Sequence, residues 1–355
     1  MTNNSVKEKQ AQKSTASDVA ELAGVSKWTV LRAFKSGASI SPEARELVMN
    51  AANKLGFRPN LLARGLKQRK TNIIGVVTDE FSNPHTLKML QETTRQLNER
   101  GYMALLLNVD SGEDYQSVMQ MAGQMQVDGL LFLATIFSDE LITTAETLHH
   151  IPSIHVCRST NNADVEAISV DGFTAGTEIA RLLLGQGYQR FGYLKGLNNA
   201  TTELMRLEGY VACLEEAGQS LHKVLEAGHY DRDLAYKVTL EYLKKTRGAD
   251  RIDALFCEND VLAFGAMQAI RDFGQGTHIG VVGFDDVAEA HFPAWHLTTW
   301  AQRSDLQIAE ALNRLLENRA DDSGAWRRGE LKLRHSHLGK GVLPDIAQCG
   351  CASRH

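Results

Sequence analysis

The stretch SDVAELAGVSKWTVLRAFKSG (Ser17–Gly37) decides how the front of this chain folds. Ser17 is a favoured N-cap residue, and Val19, Leu22 and Ala23 fall on one face of a helix. Gly24 supplies a turn, Ser26 caps a second helix, and Val30, Leu31 and Phe34 continue the apolar pattern. Ala20 is small where two helices must cross. A third helix starts at Ser41 with Pro42 in its first position, and Ala44, Leu47, Val48, Ala51 and Leu55 line it until Gly56. The reading is a helix-turn-helix whose second helix carries Lys27, Trp28, Thr29, Arg32 and Lys35 outward.

Charge is unevenly spread along the chain. Residues 1–70 carry 13 Lys and Arg against 5 Asp and Glu, a net charge of +8, while the other 285 carry 25 against 38, a net charge of −13. A small cationic head on an anionic body suits a head that meets a polyanion; the plain alternative is a solvated basic tail. The 355 residues, 43% hydrophobic and 23% charged, have the composition of a soluble globular protein and the length of two or three domains. No apolar run approaches the roughly 18 residues of a membrane span. Met1–Ala16 lacks the apolar core of a secretory signal, and five scattered cysteines fit a reducing compartment. The expectation is a cytoplasmic protein with no membrane contact.

From Asn72 onward, strand-like runs alternate with amphipathic segments. Strand candidates are Ile73–Thr78, Met103–Asn108, Gly129–Ala134, Ser153–Val156, Phe191–Leu194, Ala254–Cys257 and Ile279–Gly283. Helical patterns over Thr86–Arg100, Phe173–Gln186 and Val261–Phe273 each stop before a glycine. This alternation predicts two α/β units, each a parallel sheet with helices on both faces, and ligands then sit beyond the carboxyl ends of the strands. Rival enzyme classes lack their signatures: no GxGxxG follows a strand, and neither GxxxxGK[ST] nor GxSxG occurs. His155, His229 and His291 have no metal-ligand spacing, and Cys349, Cys351 and His355 read as a loose tail. The expectation is no enzyme, no cofactor and no metal.

The segments DVAELAGVSKWTVLRAF (Asp18–Phe34), SPEARELVMNAANKLGFRPN (Ser41–Asn60) and NLLARGL (Asn60–Leu66) resemble the LacI (lactose repressor) family of bacterial transcription regulators. The resemblance extends over almost the whole chain. It implies an all-α helix-turn-helix head plus a two-lobed α/β body with doubly wound parallel sheets, like the periplasmic sugar-binding proteins. The implied organisation is a disordered tail over 1–16, the DNA-binding domain over 17–58, a hinge helix or linker over 59–71, an effector-binding domain over 72–340 and a C-terminal tail over 341–355. The N-lobe is placed at 72–168 with 300–322 and the C-lobe at 169–297. Crossings between them fall near Ala167–Asp171, His296–Thr299 and Ser323–Leu331.

By the same resemblance the second helix enters the major groove, with Lys27, Trp28 and Arg32 reading bases and Thr29 near the backbone. Arg32 forked onto a guanine's O6 and N7 is worth about 1–3 kcal/mol of discrimination. The family commonly has Thr-x-Ser-Arg where this chain has Thr29-Val30-Leu31-Arg32, and often Asn where Lys35 stands, so no relative's operator is carried over. A partly buried packing role is the alternative for Trp28. Asn60, Ala63, Arg64 and Leu66 fall on a segment too short for a free helix, and Gly65 weakens it further, so off DNA it reads as a basic linker. In the family it folds on DNA against its dimer mate, a leucine (here Leu66) wedging into the minor groove, Ala63 making the small contact and Arg64 lying near phosphates.

Family contact positions for a small molecule fall on Arg206, Asn259, Asp285 and Gln302, with Tyr230 as a stacking aromatic and Phe81 and Asn83 on the rim. Arg158 follows Cys157, which stands where an acidic sugar contact occurs in the family. Asn259, Asp260 and Asp286 also read as helix caps or turn formers. Arg158 and Arg206, with Arg303 near the cleft, favour a sugar acid or phosphorylated sugar over a neutral one. The implied function is a sequence-specific regulator, a repressor of a carbohydrate-catabolism operon controlled by a sugar, sugar acid or sugar phosphate bound between the lobes. A purine- or nucleoside-responsive co-repressed regulator, and an activator on the same scaffold, stay open. Two heads at a fixed spacing require a homodimer or a dimer of dimers on a pseudo-palindromic duplex, in the cytoplasm and associated with the nucleoid.

Overall fold

The computed structural model describes residues 14–35, 37–59, 70–78, 81–109, 114–133, 151–156, 165–196, 204–274 and 278–339. The chain divides into two compact units, Met1–Thr71 and Asn72–His355.

In the first unit, Thr15 rather than Ser17 caps α1 (Ala16–Ala23). The Thr15 hydroxyl accepts from the Asp18 N–H, and the Asp18 carboxylate accepts from the Thr15 N–H at 2.7 Å. This reciprocal box satisfies two end donors at once, which a lone serine does not, and it draws the helix into the segment expected to be tail. The same backbone bond holds the Asp18 carboxyl below its ordinary pKa. Ser14 anchors the entry by donating from Oγ to Leu55 O at 2.8 Å. α2 (Lys27–Ala33) is capped by Ser26, whose Oγ accepts from the Thr29 N–H at 3.1 Å. α3 (Pro42–Leu55) starts from Ser41 with proline in its first turn and stops at Gly56, where φ is +61°.

The three helices close on Val19, Ala20, Val30, Ala33, Val48, Ala51, Ala52 and Phe57. Leu22, Leu31 and Leu47, expected on the inner faces, are instead 51%, 51% and 54% exposed. Short helices that cross closely need small residues at the crossing, so alanines fill the centre and the leucines are turned outward. Arg45 locks α3 to the end of α2 by donating to Ala33 O at 2.5 Å and Ala38 O at 3.3 Å.

The second unit contains, in order, β1 (Ile73–Thr78), α4 (Pro84–Glu99), β2 (Met103–Asn108), α5 (Asp114–Gln124), β3 (Gly129–Phe132), β4 (Ser153–Val156) and β5 (Ala167–Ile168). There follow α6 (Gly172–Gly185), β6 (Phe191–Lys195), α7 (Arg206–Glu216), β7 (Leu221–Glu226), α8 (Arg232–Lys245), β8 (Ala254–Cys257) and α9 (Asp260–Phe273). The last are β9 (Gly280–Phe284), β10 (Thr298–Gln302), α10 (Ser304–Glu317) and β11 (Gly329–Lys332). Among the described residues these strands form a parallel sheet in the order β2-β1-β3-β4-β5 and a second in the order β11-β10-β9-β8-β6-β7, parallel except for β10 against β11. Such buried parallel strands need helices on both faces, and the four apolar clusters of the body lie on the two sides of the two sheets. No described helix is long and apolar enough to cross a membrane.

The crossings differ from expectation at one point. Thr298–Gln302 was placed across the lobe boundary, yet it is a fully buried strand of the second sheet, with Thr298, Thr299 and Trp300 opposite Val282, Gly283 and Phe284. The chain therefore crosses between Gln302 and Ser304, and α10 packs on the first sheet while β11 returns to the second. The turn signals at His296 mark the start of that strand, where His296 itself adopts φ +42°.

α6 and α7 approach backbone to backbone. A Cβ on Gly176 would stand 2.1 Å from Arg206 O, and one on Gly209 would stand 2.0 Å from Phe173 O. Only glycine permits this approach, and it fixes where α7 begins. Gly209→Ala is expected to lower the unfolding free energy by about 1–3 kcal/mol, the usual penalty of overpacking, read as a shift of the urea midpoint; an unmoved midpoint contradicts the close approach.

Candidate functional site

In the first unit, α2 turns Val30 and Ala33 into the core and leaves Lys27, Trp28 and Lys35 exposed, with Thr29 and Arg32 partly so. Trp28 is 64% exposed and takes no part in the core, so the packing alternative fails for it. The Arg32 Cζ lies 4.2 Å from the Trp28 ring centroid, and Thr29 Oγ1 sits 2.9 Å from Ser26 Oγ. The structure thus brings Lys27, Trp28, Thr29 and Arg32 onto one capped, well-seated helix. Asn60, Ala63, Arg64 and Leu66 lie outside the described residues, as do Arg158 and the Cys349–His355 tail.

In the body, side chains gather beyond the carboxyl ends of the second sheet's strands. Arg206 is the first residue of α7, entered through Met205 at φ +56°. Its guanidinium lies over the Phe284 ring at 3.5 Å, and its Nη1 donates to Glu258 O at 2.6 Å. Its Nε is a buried donor with no protein acceptor among the described residues. The Glu258 carboxylate accepts from the Gly196 N–H at 2.7 Å and from the Tyr193 hydroxyl at 3.2 Å. Burial pushes the Glu258 carboxyl above its ordinary pKa, opposed by the Gly196 N–H and by the nearby Arg206 charge. Tyr230 packs so closely on Gly196 that a Cβ there would meet its ring.

A second group adjoins the first. Asp285, just beyond β9, adopts φ +109°, a conformation costly for a residue with a Cβ and typical of sites where position matters more than comfort. Its backbone N–H donates to Trp300 O, and its carboxylate accepts from Gln302 Nε2 at 2.6 Å. His85, near the start of α4 on the other lobe, puts Nδ1 3.9 Å from Asp285 and Nε2 3.4 Å from Gln302. Burial holds the His85 imidazole below its ordinary pKa against the pull of Asp285.

The remaining expected residues divide. Asn259 caps α9, its Oδ1 accepting from Leu262 N–H at 2.9 Å. Asn83 caps α4 through His85 N–H, and Phe81 is exposed just before it. Asp260 accepts from the Thr299 hydroxyl at 2.6 Å and from Val287 N–H, while Asp286 pairs with Arg334 at 2.6 Å, so both serve the fold. Arg303, expected near the cleft, is exposed and pairs with Asp305 at 2.9 Å. His85 and Glu258 were not anticipated. A lone histidine and a glutamate beside a strand end carry no spacing signal.

A family model described as periplasmic binding proteins and the sugar binding domain of the LacI family matches residues 71–321, and one described as bacterial regulatory proteins, lacI family, matches residues 15–60. The transcriptional repressor PurR of Mannheimia succiniciproducens is 28% identical over 317 residues, covering 88% of this chain and 94% of its own. The transcriptional regulator DegA of Bacillus subtilis is 29% identical over 344 residues, covering 94% and 96%. Among solved structures, the lac repressor dimer bound to operator and the anti-inducer ONPF is similar at a TM-score of 0.80 and 22% identity, over 92% of this chain and 100% of that one. The complex of the regulator CelR with cellobiose is similar at a TM-score of 0.65 and 24% identity, over 91% and 99%.

Glu258 and Asp260 both titrate higher folded than unfolded, chiefly through burial. The folded chain therefore binds more protons above the ordinary carboxylate range, and these groups make stability fall as pH rises through that window. Glu258→Gln keeps an acceptor for Gly196 and removes one such titration. Its melting temperature relative to the wild type is expected to rise from about pH 4.5 upward; parallel pH profiles contradict the raised carboxyl.

Proposed function

The chain belongs to the LacI family of bacterial regulatory proteins, as a DNA-binding transcriptional regulator and not an enzyme, and from this we propose that it is a repressor whose grip on DNA is set by a neutral, polyhydroxylated ligand of the sugar class. The observation that carries the ligand class is the internal charge balance of the cleft. Arg206 already donates to Glu258 O and lies near the Glu258 carboxylate, and the Asp285 carboxylate, held by Gln302, follows the Phe284 ring on which Arg206 lies. Of the two arginines that favoured an acidic ligand, Arg206 is thus engaged within the protein, Arg158 lies outside the described residues, and Arg303 faces Asp305 instead. An anion entering here meets the buried Asp285 carboxylate. A polyol instead finds the unpaired Arg206 Nε as donor, Asp285 as acceptor and Tyr230 as a face for its ring.

In this reading Arg206, Asn259, Asp285, Gln302 and Tyr230 hold the ligand, Phe81 and Asn83 rim it, Arg158 is counted with them from its motif position alone, and His85 joins them from the N-lobe. Lys27, Trp28, Thr29 and Arg32 enter the major groove, and Asn60, Ala63, Arg64 and Leu66 form the hinge in the minor groove. The lobes are 72–168 with 304–322, and 169–302 with the return strand β11. Two copies act together on a pseudo-palindromic site in the cytoplasm. Leu87, Met103, Leu106 and Met121, exposed on edge strand β2 and the neighbouring helices α4 and α5, support self-association. Ligand binding shifts the lobes and weakens DNA binding, with a coupling of about 1–3 kcal/mol.

Thermal melting of the full chain with neutral mono- and disaccharides, sugar acids, sugar phosphates and nucleobases tests the ligand class. A neutral sugar is expected to raise Tm by mass action, and Arg206→Ala to remove that shift while duplex binding survives. Stabilisation by sugar acids, sugar phosphates or nucleobases alone contradicts it.

A further inference from the structure

Trp28 and Arg32 stand one helical turn apart on α2, on the side away from the buried Val30 and Ala33. A large indole left 64% exposed serves no core, yet it is not idle: the Arg32 guanidinium carbon lies 4.2 Å over its ring. That distance is within the range of a cation–π contact. An arginine side chain free in solvent samples many rotamers, and binding a base edge through two parallel N–H bonds requires one of them. A flat ring beneath the guanidinium selects its plane before DNA arrives, and preorganisation of this kind raises affinity for the matching partner. The stack leaves the edge of the guanidinium, where its N–H groups lie, to a base. Lys27, exposed at the start of the same helix, and Lys35, exposed just beyond its end, are flexible point charges suited to phosphates and carry no comparable constraint.

We propose that Trp28 is a positioning residue for Arg32: the indole sets the guanidinium plane so that its fork meets the O6 and N7 of a guanine, and the two side chains read DNA as one unit. The inference rests on the reading of α2 as the major-groove helix. It separates two roles that an exposed tryptophan can play there. A ring that merely fills the groove adds affinity to all sequences alike, or selects the base it touches itself. A ring that positions Arg32 governs the choice of base at Arg32's position.

The test uses full-length wild type, Trp28→Ala, Trp28→Phe, Arg32→Ala and the double variant Trp28→Ala/Arg32→Ala. The wild type selects duplexes from a randomised library, and affinities for the selected duplex and its single-base variants are measured at one salt concentration. Arg32→Ala identifies the guanine that Arg32 reads. At that position Trp28→Ala is expected to reduce preference for guanine about five- to tenfold, part of the discrimination a bidentate contact supplies. Trp28→Phe is expected to retain most of it. In the Arg32→Ala background, removing the ring is expected to change that preference by less than about twofold, as coupled residues require. A Trp28→Ala variant that weakens all duplexes equally, or alters choice only at another base, overturns the positioning role and leaves the DNA reading standing. A wild type that enriches no sequence overturns both.

Discussion

The hydrogen bond from Gln302 Nε2 to Asp285, at 2.6 Å, ties together the two points where the chain leaves the second sheet for the cleft. Asp285 follows β9, and Gln302 ends β10, two residues before α10 begins on the other lobe. His85 approaches both from the start of α4, so three elements from two lobes converge on one buried polar cluster. In a low-dielectric interior such a cluster is worth much when satisfied and is expensive when half-satisfied. In the proposed reading, a ligand hydroxyl that enters replaces bonds there and so acts on the contact that relates the lobes.

The rest of the cleft follows from how α6 and α7 pack. Because Gly176 and Gly209 let the two backbones touch, Arg206 enters the cleft region at a fixed point, over Phe284 and against Glu258. The glutamate then limits what Arg206 can recruit. Two carboxyls with raised pKa values in this region, Glu258 and Asp260, lower the stability of the fold near neutrality. Asp260 does so while holding Thr299 and Val287, linking α9 to β10. Glu258 does so beside Arg206, which the proposed reading assigns to the ligand.

Much of the architecture was legible because strong local signals agree with the fold. Ile73–Thr78, Met103–Asn108, Ser153–Val156 and Ala254–Cys257 are apolar runs flanked by turns, and each is a strand over those same residues. β7 escaped notice because LHKVLE is an edge strand, half of it exposed, whose His222, Lys223 and Glu226 leave too short an apolar run to read as a strand. β10 was misassigned because Thr298–Gln302 carries few aliphatic residues, although Trp300 is fully buried and stacks on Phe284 at 5.0 Å. In the head, periodicity favoured leucines where the tight crossings require alanines. In the body, motif position singled out Arg206, Asn259, Asp285 and Gln302, and the fold buries all four. It gave no access to His85 or Glu258, whose roles come from what folds against them.

The account centres on a linkage: the filled cleft and the DNA-bound head oppose each other. The most direct measurement is fluorescence anisotropy of the full chain on the duplex it selects, titrated at rising concentrations of the neutral sugar that stabilises it. The account predicts that saturating sugar weakens duplex affinity about 5–150-fold, and that duplex weakens sugar affinity by the same factor. Duplex affinity that is unchanged at saturating sugar contradicts it.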